Sequence, residues 1–268
     1  MTAAFQDAIV VVTGGARGIG ESACRAFAAG GASVAILDID AEAADLTRDA
    51  IAGTGTGTGT RVWSAGCDIA DEKQVEDVFA RIDRELGTPD VLVNNAAINP
   101  RMNPLKLSVE LWNRVLATNL TGQFLCSREA GRRMVERGSG AIVNVTSIAA
   151  ASALGRGNFA YAVAKAGVEA ATRELAVEWA RHGVRVNAVA PCQVSTHSFA
   201  AAAAELDRLG DSRLRDYERG IPIGRAATPE EVAAAIVYLA SDGASMVTGV
   251  VLPVDGGNLA MNAGGSIG

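Results

Sequence analysis

The chain has 268 residues, 49% hydrophobic and 20% charged, which is enough to bury a core and too apolar for a disordered chain. Its net charge of −6 argues against a nucleic-acid or anionic-membrane surface, because phosphate binding needs a positive field; local backbone N–H groups can still hold an anionic cofactor. Four scattered cysteines without a CxxC pair, and two histidines, argue against a zinc centre and suit the reduced thiols of a cytoplasmic protein.

The N-terminal run MTAAFQDAIVVV lacks a basic segment and is interrupted by Asp7, so no signal peptide is expected. A β-branched run at 8–13 leads into Thr13-Gly14-Gly15-Ala16-Arg17-Gly18-Ile19-Gly20 and a helical pattern over 19–29. Glycines there permit positive φ and let the backbone approach a pyrophosphate at a helix N-terminus. The Walker lysine is missing, which disfavours a P-loop nucleotidase. A second strand, 33–37, runs into Asp38, 18 residues after Gly20 and near the spacing of a ribose-binding acid. A carboxylate there accepts from the adenosine 2′- and 3′-hydroxyls and repels a 2′-phosphate; a turn or helix-capping aspartate is the bland alternative, and the glycine-turn context favours the ribose role.

A helix over 41–52 is followed by GTGTGTGT at 53–60, read as a surface loop, then a strand at 61–65 and a helix at 71–86. The strand at 90–94 precedes one long helix, 108–137; the strand at 141–147 ends on Ser147; a second long helix spans 158–182. A strand at 184–190, a polar then alanine-rich segment at 192–220, a helix at 228–241 and a strand at 249–254 complete the chain. The uncharged stretches 138–155 and 186–204 carry scattered polar residues and read as core and loop rather than membrane spans. Strands apolar on both faces alternating with helices predict one domain over 1–268. Its fold class is α/β, a Rossmann-type doubly wound parallel sheet of about seven strands with helices on both faces. The segment 192–220 follows a strand end, where such sheets bind ligands, and is expected to cover the substrate.

Tyr161 and Lys165 stand at i and i+4 on one helix face. A tyrosine of ordinary pKa about 10 is useless as a base near neutrality, and lowering it by about three units takes about 4 kcal/mol, which a nearby cation can supply. Ser147 lies 14 residues before Tyr161, and Asn119 sits within LATNLTG. With the glycine turn, these residues resemble the short-chain dehydrogenase/reductase superfamily, in its branch of roughly 250-residue chains with TGxxxGIG and YxxxK motifs. The similarity runs from Val10 to Gly257. It includes Asp68 after the third strand, Asn94-Asn95-Ala96-Ala97, Val247-Thr248-Gly249 and Val254-Asp255-Gly256-Gly257.

The resemblance implies that Tyr161 is the general acid/base, and that Lys165 lowers its pKa and holds the nicotinamide ribose. Ser147 would bond the substrate oxygen, and Asn119 would order a water in a proton relay from Lys165. Gly14, Arg17, Gly18, Ile19 and Gly20 would cradle the cofactor. Asp68 and Ile69 would meet the adenine, Asn94 and Asn95 would line the adenosine side, and Pro191, Val194 and Thr196 would hold the carboxamide. The chain departs from the family at Ala97, usually glycine, and at Cys192, where Pro-Gly is usual after the sixth strand. Cys192 either lines the pocket or fills a packed turn.

The reading that follows is an NAD-dependent oxidoreductase interconverting a secondary alcohol and a ketone, without a metal. An NADPH-dependent ketoreductase, for example of 3-oxoacyl type, is the alternative, and Arg17 in the glycine turn leaves NADP open. A non-catalytic dinucleotide sensor is a third reading, disfavoured because Tyr161 and Lys165 are both kept. Polar residues around the expected substrate position point to a small hydroxy compound such as a sugar acid or polyol. They are Asn99, Arg101, Asn103, Arg156, Asn158, Gln193 and His197, with Ala149 and Cys192 beside them. Phe199, Leu206 and Leu209 of the cover would instead suit an apolar pocket. Small residues on the two long helices, including Ala170, Ala171, Ala176 and Ala180, together with the family's habit of pairing these helices, suggest a homotetramer.

Overall fold

A computed structural model describes residues 5–53, 60–153, 155–196 and 220–261. Seven strands are present among them: β1 (Ile9–Thr13), β2 (Ser33–Asp38), β3 (Val62–Gly66), β4 (Val91–Asn94), β5 (Gly140–Val145), β6 (Val184–Pro191) and β7 (Val251–Val254). The helices are α1 (Gly18–Ala29), α2 (Ala41–Ala52), α3 (Glu72–Glu85), α4 (Val109–Leu116), α5 (Gln123–Arg137), α6 (Phe159–Trp179) and α7 (Pro229–Ala240). All neighbouring strands pair in parallel, in the order β3-β2-β1-β4-β5-β6-β7.

The two-residue period of each strand divides the core. Val10, Val12, Val34 and Ile36 pack with Phe27 of α1 and Ile236 of α7 on one face. Val11, Leu37 and Leu92 pack with Phe79 and Ile82 of α3 and Met134 of α5 on the other. Val10, Val11 and Val12 are all fully buried, as a sheet covered on both faces requires. Strand order reverses between β1 and β4, and this opens a crevice at their C-terminal ends.

Local signals set the helix starts. Asp40 caps α2 by accepting from Ala43 N, and Asp71 caps α3 by accepting from Gln74 N. Thr228 and Glu231 form a reciprocal capping box at α7, with Pro229 at the first helical position.

Three expected elements differ. The helix expected over 108–137 is interrupted by a π-helical turn at Ala117–Gly122 between α4 and α5. The wider turn carries Asn119 inward, where Nδ2 donates to Ile98 O and Oδ1 accepts from Ile98 N, both at 2.8 Å. Gly122 makes room, since a Cβ there would meet Ile69 at 2.8 Å. Strand β5 stops at Val145, and Ser147 lies beyond it as the cap of a 3₁₀ turn, Ile148–Ala150. Helix α6 gives way after Trp179 to a single 3₁₀ turn ended by Gly183 at φ 72°. Most of the expected cover at 192–220, with His197, Phe199, Leu206 and Leu209, lies outside the described residues. No helix among the described residues is long and apolar enough to cross a membrane.

Candidate active site

The crevice at the strand ends is a cleft with two arms. The larger, about 1200 Å³, is lined by Gly14, Arg17, Gly18, Ile19, Asp38, Asp68, Ile69 and Asn95. The glycine turn lies close against neighbouring backbone: Gly14 has φ +62°, and a Cβ on it would sit 2.8 Å from Ala96 Cα. A Cβ on Gly20 would overlap the Gly14 carbonyl, so the turn and α1 close on each other only without one. Arg17, the N-cap of α1, makes no side-chain capping bond. A close-lying glycine backbone and an uncapped helix N-terminus fit a pyrophosphate.

Asp38 ends β2 with its carboxylate at this arm. Oδ2 accepts from Ala16 N at 3.2 Å and Oδ1 from Asp40 N at 3.1 Å, which ties the glycine turn to the end of β2 and leaves lone pairs for further donors. Asn95 fastens the turn from the other side, Nδ2 donating to Gly14 O at 2.9 Å and to Thr13 O at 3.1 Å. Asp68 accepts from Ala70 N at 2.9 Å. Asn94, expected on the adenosine side, is instead fully buried. It donates to Ser127 Oγ at 2.8 Å and Asn144 Oδ1 at 2.9 Å, because successive strand residues face opposite ways and Asn95 takes the cleft side. Ile39, Cys67, Arg114 and Thr118 also line this arm and were not singled out in the sequence. Ile39, an exposed apolar residue directly after Asp38, carried the one readable signal.

The second arm, about 620 Å³, shares Ile19, Asn95, Ala97, Ile98, Asn99 and Thr196 with the first, so the cleft is continuous. Ser147, Tyr161, Lys165, Pro191, Cys192, Gln193 and Val194 line it. Residues far apart in sequence meet here because β5 and β6 end side by side and α6 packs along β6. Burial pushes the Tyr161 phenol above its ordinary value, and its hydrogen bond with Ser147 offsets this in part. Lys165 is 1% exposed, its Nζ donating to Val145 O at 2.7 Å and lying 5.7 Å from the centre of the Tyr161 ring. Burial drags Lys165 down to about 7. The expectation that Lys165 lowers the Tyr161 pKa is therefore not the balance in the protein alone, where desolvation dominates both groups. A neutral phenol ready to donate and an ammonium ready to lose its charge sit together.

The remaining expected residues divide. Asn119 is fully buried and both ends of its amide are engaged by Ile98, so the side chain fixes the Ile98 loop and is not free to order the water expected of it. Asn158 lines the second arm and accepts from Asn99 Nδ2 at 3.0 Å. Arg101 and Arg156 are exposed side chains on the same arm. Ala149 is buried and its N–H donates to Ser147 Oγ at 3.2 Å; the neighbouring Ile148, not anticipated, lines the arm instead. Asn103 is not among the lining residues and accepts from Leu105 N at 2.9 Å, as a turn cap. The Cys192 thiol contacts Gln193 Oε1 and is pushed up by burial, which suits a wall and not a nucleophile.

Over residues 14–258 the chain matches the family model described as enoyl-(acyl carrier protein) reductase. It is 44% identical over 263 residues to the cis-4-hydroxycyclohexanecarboxylate dehydrogenase of Sinomonas cyclohexanicum, covering 97% of this chain and all of that one. It is 40% identical over 249 residues to the D-threitol dehydrogenase of Mycolicibacterium smegmatis, covering 93% of this chain and 92% of that one. The crystal structure of a short-chain type dehydrogenase/reductase from Mycobacterium marinum matches with a TM-score of 0.86 at 32% identity, over 96% of this chain and 97% of that chain. The chain belongs to the short-chain dehydrogenase/reductase superfamily and is an oxidoreductase acting on CH–OH groups with a nicotinamide cofactor.

Proposed function

We propose that this short-chain dehydrogenase/reductase uses NAD to interconvert a secondary alcohol and a ketone on a small polar hydroxy compound, a hydroxy or sugar acid or a polyol. The observation that carries the reading is the meeting of Tyr161, Ser147 and Lys165 in an arm that also holds Arg101, Arg156, Asn99 and Asn158. Hydrogen-bonding groups at a site discriminate strongly, since a substrate that leaves one unpaired forfeits about 1–3 kcal/mol. Relatives named for a hydroxycyclohexanecarboxylate and for D-threitol support a small polar substrate, and Arg101 or Arg156 supplies a planar fork for a carboxylate.

The Ser147 and Tyr161 hydroxyls form the pair that receives the substrate oxygen. In oxidation the phenolate form of Tyr161 takes the hydroxyl proton; in reduction the neutral phenol returns it, and burial favours that neutral form. Lys165, anchored on Val145 O, would bond a ribose hydroxyl of the cofactor. The nicotinamide, when bound, would supply the hydride acceptor or donor for the carbinol carbon. Gly14, Gly18, Ile19 and Asn95 would hold the dinucleotide on the first arm, Asp68 and Ile69 its adenine end, and Pro191, Val194 and Thr196 its carboxamide end.

Asp38 supports NAD, since its carboxylate opposes a 2′-phosphate. Arg17 is the observation that favours NADP use, and comparing kcat/KM for the two cofactors decides between them. Exposed apolar side chains on α5 and α6, Phe124, Val163 and Val177, support assembly as a homotetramer of single-domain subunits, which we infer to be cytoplasmic; light scattering giving a monomer at micromolar concentration would contradict the assembly. For the substrate, turnover of sugar acids, cyclic hydroxy acids, polyols and hydrophobic alcohols is measured side by side. Preference for the hydrophobic set, or Arg101→Ala and Arg156→Ala variants with unchanged KM for every anionic substrate, overturns the reading.

A further inference from the structure

We propose that Asp40 is a positioning residue that sets cofactor choice by holding the Arg17 guanidinium away from the adenosine ribose, an inference that rests on the reading of Asp38 as the ribose acid. Arg17 follows Ala16, whose N–H is bonded to the Asp38 carboxylate, so the arginine leaves the backbone beside the group that would meet the ribose. Its Nη2 is turned to Asp40 Oδ2. Asp40 is itself fixed twice: its N–H donates to Asp38 Oδ1 at 3.1 Å, and its Oδ1 accepts from Ala43 N at 3.1 Å as the cap of α2. One oxygen thus serves the helix and the other the guanidinium.

The charge balance at this corner follows. Asp38 and Asp40 set two carboxylates against one guanidinium, which leaves a net negative corner where a 2′-phosphate would bring further negative charge. Removing the Asp40 charge brings the corner to neutrality and frees a side chain whose planar fork suits phosphate. The Arg17 side chain is 72% exposed, so little packing resists its reorientation. An exposed ion pair adds little to stability, so a role in steering Arg17 accounts for the arrangement better than a role in holding the fold.

The test uses the full chain and calorimetric binding of two probes that differ only by the 2′-phosphate, adenosine 2′,5′-bisphosphate and 5′-AMP. Asp40→Asn removes the charge and keeps a good helix cap; Asp40→Ser is a second neutral cap should the first variant fold poorly. Either is expected to raise the bisphosphate-to-AMP affinity ratio about three- to tenfold over wild type, the scale of a solvent-screened charge-assisted contact. The 5′-AMP affinity stays within about twofold of wild type in both. Asp40→Glu, which keeps the charge, retains the wild-type ratio, and adding Arg17→Ala to Asp40→Asn abolishes the gain. A ratio unchanged in both neutral variants, or a gain that survives removal of Arg17, overturns the proposal. The underlying reading fails on a different result: wild-type protein binding the bisphosphate more tightly than 5′-AMP.

Discussion

Replacing Lys165 by methionine isolates the energetic consequence of burying an ammonium at the base of the cleft. Lys165 is 1% exposed, donates to Val145 O at 2.7 Å, and is pushed by burial from an ordinary value of 10.5 to about 7. Between those values the unfolded chain holds a proton that the folded chain does not, so folded stability rises with pH by about 1.4 kcal/mol per unit. From pH 7 to 9.5 the gain comes to about 3 kcal/mol, or roughly 6 °C in melting temperature for a chain of this size. Methionine has no proton there and loses that rise. The buried thiols of Cys24, Cys67 and Cys126 are pushed up, so their contribution falls as pH climbs past the ordinary thiol range. They are present in both proteins and cancel in the difference. Tyr161 is raised from 10 and enters only above this window. The assay is the melting temperature of cofactor-free wild type and Lys165→Met across pH 7–9.5. The difference between them should grow steadily in favour of wild type; a difference that stays flat refutes the claim that burial holds this lysine near neutrality.

Two further outcomes are expected. Tyr161→Phe keeps the ring and loses the proton carrier, so turnover should fall roughly 100- to 10,000-fold while cofactor still binds, and near-normal kcat would remove Tyr161 from the chemistry. Arg185 donates to the carbonyls of Leu239, Ala240, Ser241 and Val247 at 2.7–3.3 Å, satisfying the C-terminal end of α7. Arg185→Met should cost about 2–4 kcal/mol, read as a fall of several degrees in melting temperature with unchanged KM at temperatures where the variant is folded; an unshifted melting curve would refute the capping role.

Short-range patterns in the chain encode the alternation of strand and helix, the glycine turn with Asp38 beyond it, and the Tyr161–Lys165 spacing. Each is encoded within a few residues, by a period of two or 3.6, by a missing Cβ, or by a helix repeat. Tertiary structure decided what depends on neighbours distant in the chain. The break in the 108–137 helix needed the Ile98 backbone, 21 residues from Asn119, to draw that amide inward. Which of Asn94 and Asn95 faces the cleft followed from the facing of β4, since the sequence places two identical side chains in a row. Ser147 and Ala149 took their places from a 3₁₀ turn too short to leave a periodic signal. The protonation balance of Tyr161 and Lys165 was set by how much water the surrounding strands and helices remove, a property of the packed molecule that no pattern of four residues carries.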